Sequence, residues 1–278
     1  MVHRFAVSLT SVLGVVSLLE CSSVREGADA GADAAADTTL DVVVDAVLEA
    51  GSPCPPGMAF VQTDSGVCVD LYEGALVQLT DGGVVPWPYY DAIDDIDAQN
   101  LYAVPAKGIF PQAYISEVQA SLMCAQANKR LCTFVEWTAA CRGQPEYDYV
   151  YPYGNTYDDA ACNENRESPI IRLFGPDPSY SNAELNDPAC DQLDAGLAQG
   201  GDFPKCVSVY GAYDMHGNIH EWIDDTPNPA EPTHGSFMGG YFVDAELNGP
   251  GCEYRTTAHD KTYHDYSTGF RCCADPKL

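Results

Sequence analysis

Twelve cysteines in 278 residues, with no two spaced as C-x-x-C, constrain this chain more than any other feature. Zinc ribbons and thioredoxin-like redox sites use that missing spacing, and so many thiols do not suit a reducing cytosol without metal clusters. The set reads as a disulfide framework formed in an oxidising compartment. The N-terminus agrees, because Arg4 precedes an apolar run from Phe5 to Leu19, long enough for a signal h-region and short for a membrane span. Residues 1–21 are expected to be a signal peptide.

Leu18-Leu19-Glu20-Cys21 is similar to a bacterial lipoprotein cleavage box, with Glu20 where that box has a small residue. The expected destination is export, either as an outer-membrane or cell-surface lipoprotein tethered through a lipid on Cys21, or as a secreted protein. From Ser22 to Gly51 the composition collapses to Ala, Asp, Gly, Val and Thr, and Asp29, Asp33, Asp37, Asp41, Asp45 and Glu49 recur every four residues. On a helix they would form one like-charged stripe, so self-repulsion favours an extended, disordered acidic tether over residues 22–51. Residues 52–278 have the size of one domain. A net charge of -28 argues against nucleic acid and anionic membrane surfaces as partners and favours cations.

Within that domain, Met58-Ala59-Phe60-Val61 reads as a strand, Thr63-Asp64-Ser65-Gly66 as a turn, and Val67 to Glu73 as a half-buried alternating strand. Cys54 and Cys68 are expected to staple this hairpin. Residues 74–115 are too rich in Pro, Gly and Asp to assign. Ser116-Glu117-Val118-Gln119 is a capping box for a helix with Val118, Leu122 and Ala125 on one face and Asn128 as its stop. Thr133 and Glu136 open a second helix that buries Phe134 and Trp137 and ends at Gly143, which puts Cys124 and Cys141 on neighbouring helices. Residues 156–206 read as a long irregular stretch. Gly239-Gly240-Tyr241-Phe242-Val243 reads as a strand entered through glycines. Tyr266 to Cys273 closes the chain, and its adjacent cysteines face opposite ways and need different partners. With 24 glycines, 19 prolines and 17 tyrosines, this is a loop-rich domain, neither a helical bundle nor a run of βαβ units.

Asp214 and Glu221 flank a Gly217-Asn218 turn signal that interrupts any regular helix or strand. A short loop with a carboxylate at each end can turn its carbonyls inward, the donor set that a hard cation such as calcium requires. His216 and His220 would share a helical face and could hold zinc, but Gly217 and Asn218 break that helix and no third His or Cys lies at a motif-like spacing. Without a metal, Asp214 caps a turn while Tyr213, Ile219 and Trp222 fill core.

Asn128-Lys129-Arg130-Leu131-Cys132-Thr133, Glu136-Trp137, Ala140-Cys141-Arg142-Gly143, Tyr151-Pro152-Tyr153-Gly154-Asn155, Gly217-Asn218-Ile219-His220-Glu221-Trp222, Gly239-Gly240 and Gly269-Phe270-Arg271 follow one another in this chain. In that order they resemble the sulfatase-modifying-factor family, the domain of the formylglycine-generating enzyme, over roughly residues 54–276. The resemblance implies an α+β, C-type-lectin-like fold, loop-rich and disulfide-stapled. It implies calcium ligands at the side chains of Asp214 and Glu221 and the carbonyls of Gly217 and Ile219, and a second calcium site beginning at Asn163. It also implies that Cys124 pairs with Cys272 and Cys141 with Cys252. Cys132 with Cys273 is then the next expected pair, and with Cys21 set aside one thiol among Cys162, Cys190 and Cys206 stays free.

The family's enzyme oxidises a substrate cysteine with a copper ion on two cysteines, placed after the Gly-Gly strand and before the cysteine matched by Cys252. No cysteine lies between Gly240 and Cys252 here, Tyr241 stands for the family's serine, and His220 stands for its tryptophan. Copper(I) selects soft thiolates, and Asp244 and Glu246 in that segment are hard ligands. The resulting expectation is a calcium-stabilised binding or scaffold module for a protein or glycan ligand, with no copper and no catalytic residues. The competing expectation is an oxidoreductase of the same family using another metal, with His216, His220, His259 and His264 as candidate ligands.

Overall fold

Cys54 is bonded to Cys68 and closes the first hairpin, in which β1 (Met58–Val61) pairs antiparallel with β2 (Val67–Asp70). The computed structural model describes residues 52–94 and 100–277, so the expected signal peptide, Cys21 and the tether lie outside the described residues. Contrary to the expected alternation, all four residues of β2 are buried. Val67 and Val69 pack with Trp137 in the main core while Cys68 joins Cys54, Met58 and Ala274 on the other side, so both faces of the strand are covered.

The stretch that the sequence left unassigned holds β3 (Gly74–Thr80), β4 (Gly83–Pro86) and β5 (Leu101–Pro105), an antiparallel sheet in the order β4-β3-β5. Both capping boxes form as expected. Ser116 opens α1 (Glu117–Gln126) and Thr133 opens α2 (Phe134–Arg142), which ends on Gly143 in the left-handed region. The buried faces differ from expectation. In α1, Val118 and Leu122 are exposed and Ala120, Met123 and Cys124 face the core; in α2, Trp137 is fully buried while Phe134 lies at the surface under the Arg255 guanidinium. Disulfides and a large aromatic fix which face turns inward, and these outweigh the aliphatic stripe.

Between the helices lies β6 (Arg130–Leu131). The long stretch after residue 156 contains two short helices, α3 (Pro169–Phe174) and α4 (Asn182–Leu185), and is pinned by Cys162–Cys206. Next come β7 (His220–Ile223), β8 (Ser236–Met238), β9 (Arg255–Thr256), β10 (Thr268–Phe270) and β11 (Cys272–Ala274). They complete two four-stranded sheets, β1-β2-β11-β6 and β10-β7-β8-β9, with β10 parallel to β7. Residues 239–243 are not the expected strand: β8 ends at Met238, and Gly239 and Gly240 (φ 85° and 75°) turn the chain away. A Cβ on Gly240 would come within 2.4 Å of the Ala245 Cα, so this turn needs its glycine.

The remaining bridges are Cys124–Cys272 and Cys141–Cys252, as the resemblance implied, and Cys132–Cys273, the next pair expected. Cys190 is the one free cysteine among the described residues. It is buried, which pushes its thiol up to about 12 and leaves it a poor nucleophile. Five disulfides are a framework of oxidising compartments, and no helix among the described residues is long and apolar enough to cross a membrane.

Candidate metal centre

The segment from Asp214 to Ile219 is a loop that leads directly into β7. Asp214, Gly217 and Asn218 all have positive φ (60°, 77° and 55°), which coils the backbone tightly enough to turn polar groups inward. Gly217 is required by close approach, since a Cβ there would lie 2.3 Å from the Asn163 carbonyl oxygen. Asn218 ties the loop to three other segments. Its Nδ2 donates to Glu73 Oε2 (2.7 Å) and its Oδ1 accepts from Asn163 Nδ2 (2.9 Å) and the Ala198 N–H (2.9 Å).

Two buried carboxylates keep an oxygen without a partner here. Asp214 Oδ2 accepts from the Gly201 N–H (2.8 Å), but Oδ1 has none; Glu73 holds Asn218 through Oε2, but Oε1 has none. Burial, opposed by the Gly201 N–H and Arg271, pushes the Asp214 carboxyl up to about 7. Burial and then the charges of Asp214 and Glu221 hold Glu73 well above the usual carboxylate range. Unpaired, desolvated, like-charged oxygens are costly unless a cation completes them.

Glu221 differs from both. Arg271 grips it through two bonds, Nη2 to Oε1 (2.7 Å) and Nε to Oε2 (2.9 Å), and Trp137 Nε1 donates to Oε2 (2.7 Å). Arg271 is fully buried and also donates to the carbonyls of Asp70 and Tyr213. Ile219 is buried on the same loop. Asn163 commits its carboxamide to Gly196, Asn218 and Arg166, so its side chain buttresses the loop. The sequence reading found Asp214 and Glu221 through their spacing but missed Glu73 and Arg271. Glu73 lies just before β3 and Arg271 between β10 and β11, about two hundred residues apart in sequence, so no local spacing joins them to the loop.

The position after Gly240 carries no thiol. Asp244 accepts from the Tyr254 hydroxyl and from the N–H groups of Glu246 and Leu247, and Cys252 is held by Cys141. These residues do not fit copper(I), which takes soft thiolate ligands. His220 lies among Phe237, Tyr241 and Tyr254, and burial lowers its pKa to about 3, so it stays neutral. The four candidate histidines do not form one site. The three-ligand cluster among the described residues is Glu164, His216 and Glu246, which leaves His220, His259 and His264 outside.

Residues 92–276 match the family described as sulfatase-modifying factor enzyme 1-like domain. An inactive C-alpha-formylglycine-generating enzyme 2 of Mus musculus is 29% identical over 180 residues, covering 62% of this chain and 53% of that protein. A formylglycine-generating enzyme of Thermomonospora curvata is 30% identical over 190 residues, covering 60% and 56%. The chain spans about half the length of the curated relatives it matches. The solved structure of PvdO from Pseudomonas aeruginosa aligns with a TM-score of 0.43 at 14% identity, over 80% of this chain and 90% of that one. The fold is the C-type-lectin-like, loop-rich α+β type expected from the sequence.

Proposed function

Because this chain belongs to the sulfatase-modifying-factor family, we propose that it keeps the family's fold as a calcium-stabilised binding or scaffold module and lacks formylglycine-generating activity. The observation that carries this reading is the Cys141–Cys252 disulfide, together with the absence of any cysteine between Gly240 and Cys252. Thiol oxidation by the family's route needs two thiolates on copper at that place; Cys252 is committed to a bridge and its neighbours offer phenol and carboxylates. Incubating the oxidised protein with copper, oxygen and a Cys-x-Pro-x-Arg peptide should leave the peptide thiol intact by mass spectrometry. An aldehyde product that disappears in Cys252→Ser would overturn the reading.

Calcium would be held by Asp214 and Glu73 through their unpartnered oxygens, with Glu221 and the carbonyls of Gly217 and Ile219 completing the shell. Bound there, the ion supplies charge neutralisation and fixes the loop that leads into β7. Asp214→Asn separates this role from general stability. It should abolish the rise in melting temperature on adding calcium while leaving the melt in chelator unchanged or higher, because it removes an unfavourable buried charge. A wild-type melting temperature that does not respond to calcium would refute the site. Glu221→Gln is less informative, since it also releases Arg271 and should destabilise the protein with or without calcium.

The remaining parts of the proposal are export and a protein or glycan partner, with lipid on Cys21 as the anchor if the cleavage box is used. Support for a partner comes from exposed loop tyrosines, Tyr147, Tyr157 and Tyr180, which supply rigid amphipathic contact area.

A further inference from the structure

A second group of ligand atoms sits on the other side of the same loop. Glu164 follows the bridged Cys162, His216 belongs to the Asp214–Ile219 loop, and Glu246 lies in the turn after Gly240. His216 Nε2 is 3.2 Å from Glu164 Oε1 and 3.7 Å from Glu246 Oε1, and one ligand atom from each residue lies within 4.8 Å of the others. A tetrahedral ion with bonds of about 2.0–2.1 Å sets its ligand atoms about 3.3 Å apart, so two of the three edges already have a coordination spacing.

The side chains of His216 and Glu164 are fully buried, while that of Glu246 is 39% exposed. Both ring nitrogens of His216 and both oxygens of Glu164 lack a partner at hydrogen-bond geometry. A network built only to share a proton would aim an N–H at an oxygen. An imidazole and a carboxylate buried side by side without such alignment, with Glu246 converging on them from the partly exposed side, leave polar groups that a metal ion would satisfy. Tyr151 packs its ring edge-on against His216 and closes one side.

We propose that Glu164, His216 and Glu246 bind one divalent transition-metal ion of the zinc class, with a further coordination position open on the solvent side where Glu246 is exposed. The imidazole selects against calcium and magnesium, which take oxygen ligands, and the absence of a thiolate selects against copper(I). The site is separate in ligands from the calcium loop, and it does not depend on that loop holding calcium.

The test is a zinc titration of the chelator-treated full chain against a chromophoric competitor, with calcium saturating throughout. One equivalent should bind saturably, and cobalt(II) should give a visible d–d band that zinc displaces. Glu246→Gln, a partly exposed substitution that leaves the core intact, should weaken zinc by more than about tenfold. Glu164→Gln should do the same, and His259→Gln should have no effect. Absence of saturable zinc binding, or Glu246→Gln binding zinc as tightly as the wild type, overturns the proposal. Because calcium is present in every arm, failure of the calcium reading leaves the zinc result interpretable.

Discussion

Deleting both bridges to β11, as the quadruple Cys→Ala variant of residues 124, 132, 272 and 273, is expected to cost about 6 kcal/mol and to leave the domain unfolded at 37 °C. The size of the effect comes from how the bridges interleave. Cys124–Cys272 and Cys132–Cys273 span 148 and 141 residues, but they close nearly the same loop, because their ends are eight and one residues apart. Removing one pair leaves the long loop closed by the other and opens only a small ring of about nine residues, worth about 2.5 kcal/mol on the chain-entropy relation. Removing both opens a further ring of about 37 residues, because Cys141–Cys252 still closes the segment between residues 141 and 252, and costs about 4 kcal/mol more. Urea denaturation of the two double variants and the quadruple variant measures this. If the two single-pair losses simply add up to the quadruple loss, the interleaved account is wrong.

Arg271→Met is expected to destabilise the domain by about 3–5 kcal/mol, the usual cost of removing one partner of a buried ion pair. Arg271 is the cation among Glu73, Asp214 and Glu221, and it also satisfies two backbone carbonyls. Its loss leaves Glu221 charged and buried with only the Trp137 N–H. Adding Glu221→Gln should recover part of the loss, because the orphaned charge goes with it. Equilibrium unfolding in chelator and in calcium tests this. A loss below about 1 kcal/mol, or no recovery in the double variant, would show that the pair is not what holds this part of the core.

The local signals in the sequence were accurate where one segment decides the outcome. Both capping boxes, the first hairpin and the loop at Asp214 depend on neighbours within a few residues, and each forms as read. The inward face of α1 did not follow from its aliphatic spacing, because Cys124 must reach Cys272 and that bridge sets the rotation of the helix. The strand expected at residues 239–243 failed because two positive-φ glycines end pairing, where the pattern suggested they begin it. Cys54–Cys68 was legible from its hairpin, but Cys124–Cys272 and Cys141–Cys252 were legible only through family resemblance, since cysteine spacing alone leaves many connectivities open. Glu73 and Glu164 carried no site signal, and His216, Glu246 and Arg271 were each noticed without the partners they meet. These residues come from distant segments, and no periodicity or motif links them.

The place of β11 also governs how this domain can be synthesised. It is the last strand among the described residues, yet it lies inside its sheet between β2 and β6 and carries the ends of two long-range bridges. While the chain is emerging, β2 and β6 therefore have no strand between them, and Cys124, Cys132 and Cys141 are all present before any native partner. Only Cys54–Cys68 and, later, Cys162–Cys206 can close early. Folding of the domain thus waits for β11, is dominated by contacts of large sequence separation, and exposes a period of wrong pairings that a disulfide isomerase would shorten.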